Sequence, residues 1–302
     1  ANWPTQVARR NAWNAGSGLA GVAGDVGRAI ALSPDGSFRE LDLSDPAAPR
    51  VIAHYKHAPG ISRFSGVYRT GNRVVLFGED GLEVVAREGA VFRRVFALDR
   101  GVAGAVIGVE EVDGQLLAAG TRGLVRTPLD GGPVERLYDR PLRGMARSGD
   151  LLLALDEQWL YSGSARDPRP AGFAKVAELG RGLAARGVRI GGGVAVVFGA
   201  SGIACFDVSG GAPARALLRP KAGTLGNVTD VTVVGGSVFV IGDRGLQVWD
   251  PQRGRIVDAV DVKGRAALDA AGGYVIAIGG DRLEVVDVTP WITRSAPAAP
   301  AR

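Results

Sequence analysis

One short pattern recurs through this chain: an apolar strand, a Gly-x-x-Gly turn or a close relative of it, and a second apolar strand. Clear copies of the pattern span residues 73–85, 115–127, 194–208, 237–250 and 274–288. Two weaker copies, at 29–43 and 151–163, fill the gaps between them. The turns therefore recur about every 40 residues, which is the spacing of repeats that contain several short strands each.

Residues 226–262 show the internal organisation of one repeat. Short β-rich strands are predicted at 228–234, 237–241, 246–249 and 255–262, each bounded by Gly, Asp or Pro. Four consecutive strands of this kind are typical of one antiparallel blade of a β-propeller. We therefore predict an all-β fold, a seven-bladed β-propeller of four-stranded antiparallel blades. The first glycine of each turn, such as Gly242 or Gly78, is expected to adopt a positive φ.

The two ends of the chain are predicted to close the ring. The last repeat has three clear strands ending at Val288, and the Pro-rich sequence after it is a poor outer strand. Residues 5–10 can supply that missing strand and remove an exposed sheet edge, and residues 291–294 are the alternative. We expect a single β-propeller domain over residues 1–294 and an Ala/Pro-rich tail over 295–302.

Several strand exits resemble the LVIVD repeat of bacterial and archaeal propellers, in which an apolar strand ends in Asp before a Ser-Asp-Pro-x-x-Pro turn. The segment at 41–55 matches best, through Asp42, Ser44, Asp45, Pro46 and Pro49, and weaker copies lie at 204–217, 247–257 and 284–291. The resemblance implies a seven-bladed, usually exported propeller and carries over no catalytic residues. On physical grounds, the strand-exit carboxylates are predicted to accept backbone hydrogen bonds in Asx-turns. These carboxylates are Asp42, Asp207, Asp250 and Asp287.

Composition narrows the function classes. The formal net charge is +5, and the arginines are scattered among acidic residues, so we do not expect nucleic-acid binding. Cys205 is the single cysteine, so an internal disulfide is excluded. Its side chain is predicted to pack as a small buried hydrophobe. No stretch of about 18 apolar residues is present, so no transmembrane helix is expected.

The beginning of the chain leaves its origin open. Residue 1 is Ala and the only methionine is Met145, so residue 1 is either a mature N-terminus or the boundary of a longer chain. We expect an exported protein, located in the periplasm or at the cell surface.

Arginines recur just before the predicted inner strands, where a propeller places them around the mouth of its central channel. The turns between second and third strands open on the same face and carry two more. Together the candidate binding residues are Arg63, Arg100, Arg143, Arg181, Arg265, Arg122 and Arg244. Such a ring would focus positive potential and favour a protein partner or an anionic ligand. The alternative is that each arginine pairs with a carboxylate of its own blade, such as Asp80.

Other constellations do not suggest catalysis. His54 and His57 point to opposite faces if both lie on a strand, and a surface pair is expected. Glu110, Glu111 and Asp113 are expected to be solvated near a turn. Asp25, Asp230 and Asp269 are interpreted as scattered acids. We predict no metal, no cofactor and no catalytic residue.

The sequence therefore favours a non-enzymatic, exported propeller that acts as a protein-binding or scaffold subunit of a larger assembly. The alternative is a hydrolase or lyase that uses the central channel, as a lactonase does.

Overall fold

The computed structural model describes residues 8–16, 18–58, 63–169, 172–179, 182–210, 214–221, 223–262, 267–289 and 291. These residues form β-strands and one four-residue helix. Among them there is no helix with the length and apolar character required to cross a membrane.

The strands are short and follow one another in antiparallel meanders. The first half of the chain contains β1 (Ala8–Asn14), β2 (Gly21–Asp25), β3 (Arg28–Leu32), β4 (Phe38–Asp42), β5 (Arg50–Tyr55), β6 (Phe64–Thr70), β7 (Arg73–Gly78), β8 (Gly81–Glu88), β9 (Val91–Asp99), α1 (Arg100–Ala103), β10 (Val106–Val112), β11 (Gln115–Gly120), β12 (Gly123–Pro128) and β13 (Glu135–Tyr138). The second half contains β14 (Gly144–Ser148), β15 (Leu151–Leu155), β16 (Trp159–Ser164), β17 (Ala174–Glu178), β18 (Ala185–Gly191), β19 (Val194–Gly199), β20 (Gly202–Asp207), β21 (Arg215–Ala216), β22 (Val228–Val234), β23 (Ser237–Gly242), β24 (Gly245–Asp250), β25 (Arg255–Val260), β26 (Ala267–Ala271), β27 (Tyr274–Gly279) and β28 (Arg282–Asp287).

The described strands form five four-stranded sheets and one eight-stranded sheet. The eight-stranded sheet consists of two antiparallel meanders, β2–β5 and β6–β9. A single parallel bridge between His54 and Val91 joins them, and the His54 amide donates to the Ala90 carbonyl at 3.1 Å.

The first strands of the meanders surround a common axis. Each of β2, β6, β10, β14, β18, β22 and β26 contacts the next, and β26 contacts β2. The hydrophobic core lies between neighbouring sheets rather than within one. For example, Leu41 of one sheet packs in the same cluster as Ile276 and Leu283 of the last sheet. Each sheet therefore needs both neighbours to bury its two faces.

The N-terminal strand completes the last sheet, as the sequence predicted. β1 pairs antiparallel with β28, from Ala8 opposite Asp287 to Asn14 opposite Arg282. The strand runs over Ala8–Asn14 and therefore extends beyond the predicted segment 5–10, of which residues 5–7 lie outside the described part. Trp291 of the alternative segment is buried in a core cluster instead. The tail boundary at residue 294 also lies outside the described part.

The turn glycines have a different role from the predicted one. Gly78 and Gly242 do not adopt a positive φ; the second glycine of each turn does, with φ of +106° at Gly81 and +81° at Gly245. At Gly242 a Cβ would overlap the carbonyl oxygen of Asn227. The first glycine is needed because the backbone leading into the first strand of the sheet passes against it.

The Asx-turns are confirmed. The Asp42, Asp207 and Asp287 carboxylates each accept a backbone N–H two residues later, at 2.8, 3.1 and 3.0 Å. Asp250 accepts from Gln252 at 2.9 Å. These carboxylates stabilise the exits of the third strands, so they are structural residues.

Candidate functional site

The turns between second and third strands and the loops into the first strands lie at the same end of each sheet. In β6 and β7, for instance, Phe64 at the start of one strand lies opposite Gly78 at the end of the other. We call this end of the molecule the turn face. It carries the arginines that the sequence analysis selected.

Two of those arginines form ion pairs within their own sheet. Arg63 contacts Glu79 at 2.5 Å and Asp80 at 3.4 Å, both in the turn between β7 and β8. Arg143 contacts Glu157 in the turn between β15 and β16. Their charges are therefore compensated locally, which is the alternative that the sequence analysis left open.

The other described arginines of this set form no ion pair with another described residue. Arg122 donates to the Gly101 carbonyl, and Arg244 donates to the Thr224 carbonyl at 2.8 Å. A hydrogen bond to a neutral carbonyl orients a guanidinium but leaves its positive charge in place. Arg100 lies in α1, where it is exposed and makes no ion pair with another described residue. Arg181 and Arg265 lie outside the described residues.

An apolar pocket of about 70 Å³ opens between the β10–β13 sheet and the β14–β17 sheet on the turn face. It is lined by Leu124, Tyr138, Leu142, Ala154, Tyr161 and Phe173. Three of these side chains are aromatic and half-buried, so the pocket presents apolar surface to solvent. Its volume suits one small aliphatic side chain.

The aromatic walls of this apolar pocket are held in place. The Tyr138 and Phe173 rings pack with centroids 6.4 Å apart. The Tyr161 hydroxyl donates to Asp156 at 2.8 Å, and Asp156 also accepts the Trp159 amide. Burial, reinforced by that carboxylate, raises the pKa of Tyr161 above its ordinary value, so its hydroxyl stays neutral. The pocket is preorganised.

Two exposed arginines, Arg136 and Arg140, lie two residues on either side of the pocket residue Tyr138 in the chain. Arg136 donates to the Arg122 carbonyl at 2.5 Å and to the Val102 carbonyl at 2.6 Å, which fixes both its terminal nitrogens. Arg140 is exposed and lies between two pocket residues in sequence. Neither arginine occupies a position that recurs in the repeat, so the repeat pattern did not mark them as candidates.

A second cavity of about 430 Å³ lies on the axis, between the first strands of the sheets. We call it the axial cavity. Gly21, Val67, Met145 and other small or apolar residues form part of its wall. Its charged lining residues are Glu110, Arg186, Arg189, Asp230 and Asp269.

Two aspartates interpreted from sequence as scattered acids meet in this cavity. Asp230 accepts the Leu268 amide of the next sheet at 3.1 Å and pairs with Arg189 of the preceding sheet at 3.4 Å. Asp269 accepts the Gly24 amide of the next sheet at 2.8 Å. Burial raises the pKa of both, that of Asp269 to about 6. They connect neighbouring sheets around the axis.

Glu110 also faces the axial cavity, so its predicted solvation near a turn is wrong. Burial raises the pKa of Glu110 to about 7, and Arg147, with its Nε 3.8 Å away, opposes that rise. Glu111 lies on the opposite face of the sheet and accepts the Gly114 amide at 2.7 Å. Side chains alternate between the two faces along β10, so one glutamate faces the axial cavity and its neighbour stabilises the turn.

The histidines do not form a surface pair. His54 is exposed, but His57 packs between the Tyr55 and Phe64 rings, with its Nε2 3.6 Å from the Glu83 carboxylate. Within the described part of the chain, no three His, Cys, Asp or Glu side chains are grouped to hold a metal ion.

Comparisons with known proteins identify the architecture. The chain is similar to the WD40 β-propeller domain of Doa1, with a TM-score of 0.69 and 13% identity over 94% of this chain and 97% of that one. The fold is a β-propeller. The computationally designed Ika8 protein is also similar, with a TM-score of 0.61 and 11% identity over 94% of this chain and 100% of that one.

A third similar structure is PorZ, a bacterial surface component of the type-IX secretion system of Porphyromonas gingivalis. Its TM-score is 0.65 and its identity 14%, over 95% of this chain and 38% of that one. No family model and no curated protein matches the chain. At these identities the likeness concerns the fold alone, so the LVIVD resemblance stays a prediction.

Proposed function

We propose that this protein is a non-enzymatic, seven-bladed propeller that acts as a protein-binding subunit of a larger assembly. The count of seven rests on reading the eight-stranded sheet as two blades, because each half is a complete four-stranded meander. The ring of contacts among the first strands supports the same count.

The apolar pocket on the turn face is the observation that carries the binding proposal. A preformed pocket for one aliphatic side chain, with the exposed Arg136 and Arg140 two residues on either side of its wall residue Tyr138, suits an anchor residue flanked by acidic residues. We therefore infer a partner segment that carries Leu or a similar residue between Asp and Glu residues. Arg136 and Arg140 contact its acidic part.

The wider arginine set supports the same proposal at longer range. Arg100, Arg122 and Arg244 add positive charge to the turn face and steer an acidic partner. Arg181 and Arg265 belong to the proposed set by their position before first strands. Arg63 and Arg143 contribute less, because each is paired with a carboxylate.

Export to the periplasm or cell surface is part of this proposal. The LVIVD-like strand exits support it, and so does the fold likeness to PorZ, a bacterial surface component. The competing hydrolase or lyase has no support from the described residues. Fractionation of the native host, with immunodetection of the protein, tests the location.

Fluorescence anisotropy tests the binding face. A labelled peptide with one Leu between acidic residues is titrated with the wild-type protein. We expect saturable binding that weakens about tenfold when Leu is replaced by Ala, and similarly in R136Q/R140Q. The matched control is R50Q/R215Q, which removes two exposed arginines that pair with Asp42 and Asp207 at the opposite end of the sheets.

Absence of binding, or equal affinities for the wild type and R136Q/R140Q, would refute the proposed face. Circular dichroism melts establish that each variant is folded. Higher salt should weaken the interaction, because exposed charge contacts are screened by ions.

A further inference from the structure

The axial cavity carries an inference independent of the turn face. In β18 the pairing register shifts between Ala185 and Gly187, so Arg186 is the extra residue of a β-bulge. A bulge redirects a side chain that would otherwise follow the alternation of the strand. Arg186 accordingly lines the cavity together with Arg189, although the two are three residues apart.

Bulges at the corresponding place in two other first strands bring uncharged residues into the wall of the axial cavity. The register shifts between Phe64 and Gly66 in β6 and between Val106 and Gly108 in β10. The extra residues there are Ser65 and Ile107, which also line the cavity. Arg186 is therefore a charged residue at a bulge position where β6 and β10 have the uncharged Ser65 and Ile107.

The two arginines differ in how they are held. Arg189 is 3.4 Å from Asp230 and lies over the Phe198 ring, 5.7 Å from its centroid. Arg186 is exposed to the cavity and makes no ion pair with another described residue. One guanidinium is thus oriented by its surroundings, and the other keeps an uncompensated charge.

The carboxylates in the cavity are already occupied. Asp230 and Asp269 each accept two backbone amides, their own next residue and one from the following blade. Glu110 lies beside Arg147. The acids therefore have their own partners, and the remaining free group is the Arg186 cation.

We propose that the axial cavity binds a small organic carboxylate, held by the guanidinium groups of Arg186 and Arg189. The planar fork of an arginine matches a carboxylate with two parallel hydrogen bonds. The cavity volume of about 430 Å³ is that of a small-molecule site. Val22, Val67 and Met145 give it apolar wall, which favours an organic skeleton over inorganic phosphate.

Binding should be stronger at lower pH, since burial raises the pKa of the Glu110 carboxyl to about 7. The other charged groups close to Glu110 are Arg147 of β14, Arg189 of β18 and Asp269 of β26. The Tyr68 hydroxyl of β6 also faces Glu110, and burial raises its pKa above its ordinary value. Asp230 and Arg186 complete the charged lining. Above pH 7 the Glu110 carboxylate adds a negative charge that repels an anion.

Isothermal titration with succinate tests the site, using the full chain. We expect saturable binding at pH 6.5, at least about tenfold weaker binding in R186Q, and no binding of succinamide, its uncharged analogue. R215Q is the control, since Arg215 is an exposed arginine that pairs with Asp207 at the opposite end of the sheets and does not line the cavity. Between pH 6.5 and 8.5, wild-type affinity should fall about three- to tenfold. E110Q should remove most of that fall, and Asp269, with its pKa raised to about 6, accounts for the rest.

The proposal is overturned if succinate at about 10 mM produces no saturable signal. It is also overturned if R186Q binds succinate like the wild type. Phosphate that binds as tightly as succinate, with the same dependence on Arg186, would refute the carboxylate class. Thermal melts confirm that R186Q and E110Q are folded, and loss of the turn-face interaction would affect none of these measurements.

Discussion

Glu40 is the residue at which a single substitution should weaken the contact between the first two blades. Its carboxylate is fully buried on β4 and forms ion pairs with Arg28 at 3.1 Å, Arg69 at 3.3 Å and Arg87 at 3.0 Å. Arg69 and Arg87 belong to the second blade, so one carboxylate connects two blades. Removing it leaves partly buried guanidinium groups without their main partner.

The cost of Glu40→Gln can be estimated from exposure. The Arg28 side chain is 43% exposed, so solvent screening reduces its share to about 0–1 kcal/mol. Arg69 and Arg87, at 11% and 24% exposure, each lose an interaction of about 1.5 kcal/mol. The Gln amide oxygen retains about 1 kcal/mol of this. We expect a loss of about 2–3 kcal/mol in the free energy of unfolding.

Calorimetry and urea denaturation measure this loss. For a domain of this size it corresponds to a melting temperature lower by about 5 °C. The control is Glu135→Gln, which removes an exposed ion pair with Arg126 and should cost about 0–1 kcal/mol. A Glu40→Gln protein that melts within about 1 °C of the wild type would refute the reasoning.

Four further predictions concern other parts of the ring. Deleting residues 1–14 removes β1, exposes the edge of β28 and should lower the melting temperature of the whole domain; an unchanged melt would show that closure contributes nothing. Gly242→Ala should destabilise by at least about 2 kcal/mol, because its Cβ overlaps a backbone carbonyl, whereas Gly182→Ala has open space and should be near neutral in urea denaturation. Burial raises the pKa of Cys205 to about 12, so its thiol should react with Ellman's reagent only after unfolding; rapid reaction of native protein would contradict this. Glu110 has a folded pKa raised to about 7, so its contribution to stability is complete below its ordinary pKa of 4.5 and lost as pH rises through 7; Glu110→Gln should flatten the decline in unfolding free energy over that window, and an unaltered profile would argue against burial as the cause.

Much of the architecture was accessible from the sequence, because each repeat encodes its own meander through local signals. The apolar alternation and the turn residues predicted the strands, and the missing strand of the last repeat predicted that the N-terminus closes it. The strand-exit aspartates were also predictable, since an Asx-turn forms between residues two or three apart. Register was less accessible, and β1 extends four residues beyond the predicted end at residue 10 to Asn14.

The candidate sites depend on contacts between blades, so sequence alone could not locate them. Asp230 and Asp269 are far apart in the chain and meet because consecutive first strands share one axis. The position of Arg186 depends on a β-bulge beside Gly187; a glycine inside a strand is a signal for a bulge, but it does not tell which side chain the bulge turns into the axial cavity. The apolar pocket likewise joins Leu124 of one blade to Tyr161 of the next.

The repeat, the strand pattern and the turn chemistry follow from the amino-acid sequence, since these arise from interactions among residues close together along the chain. Which arginines form ion pairs depends on the folded ring. Arg63 and Arg186 are both arginines at the beginning of first strands, yet the turn of its own blade compensates Arg63 and a bulge directs Arg186 into the axial cavity. The difference arises because the free energy of a charge depends on the partners and solvent that the folded ring places around it.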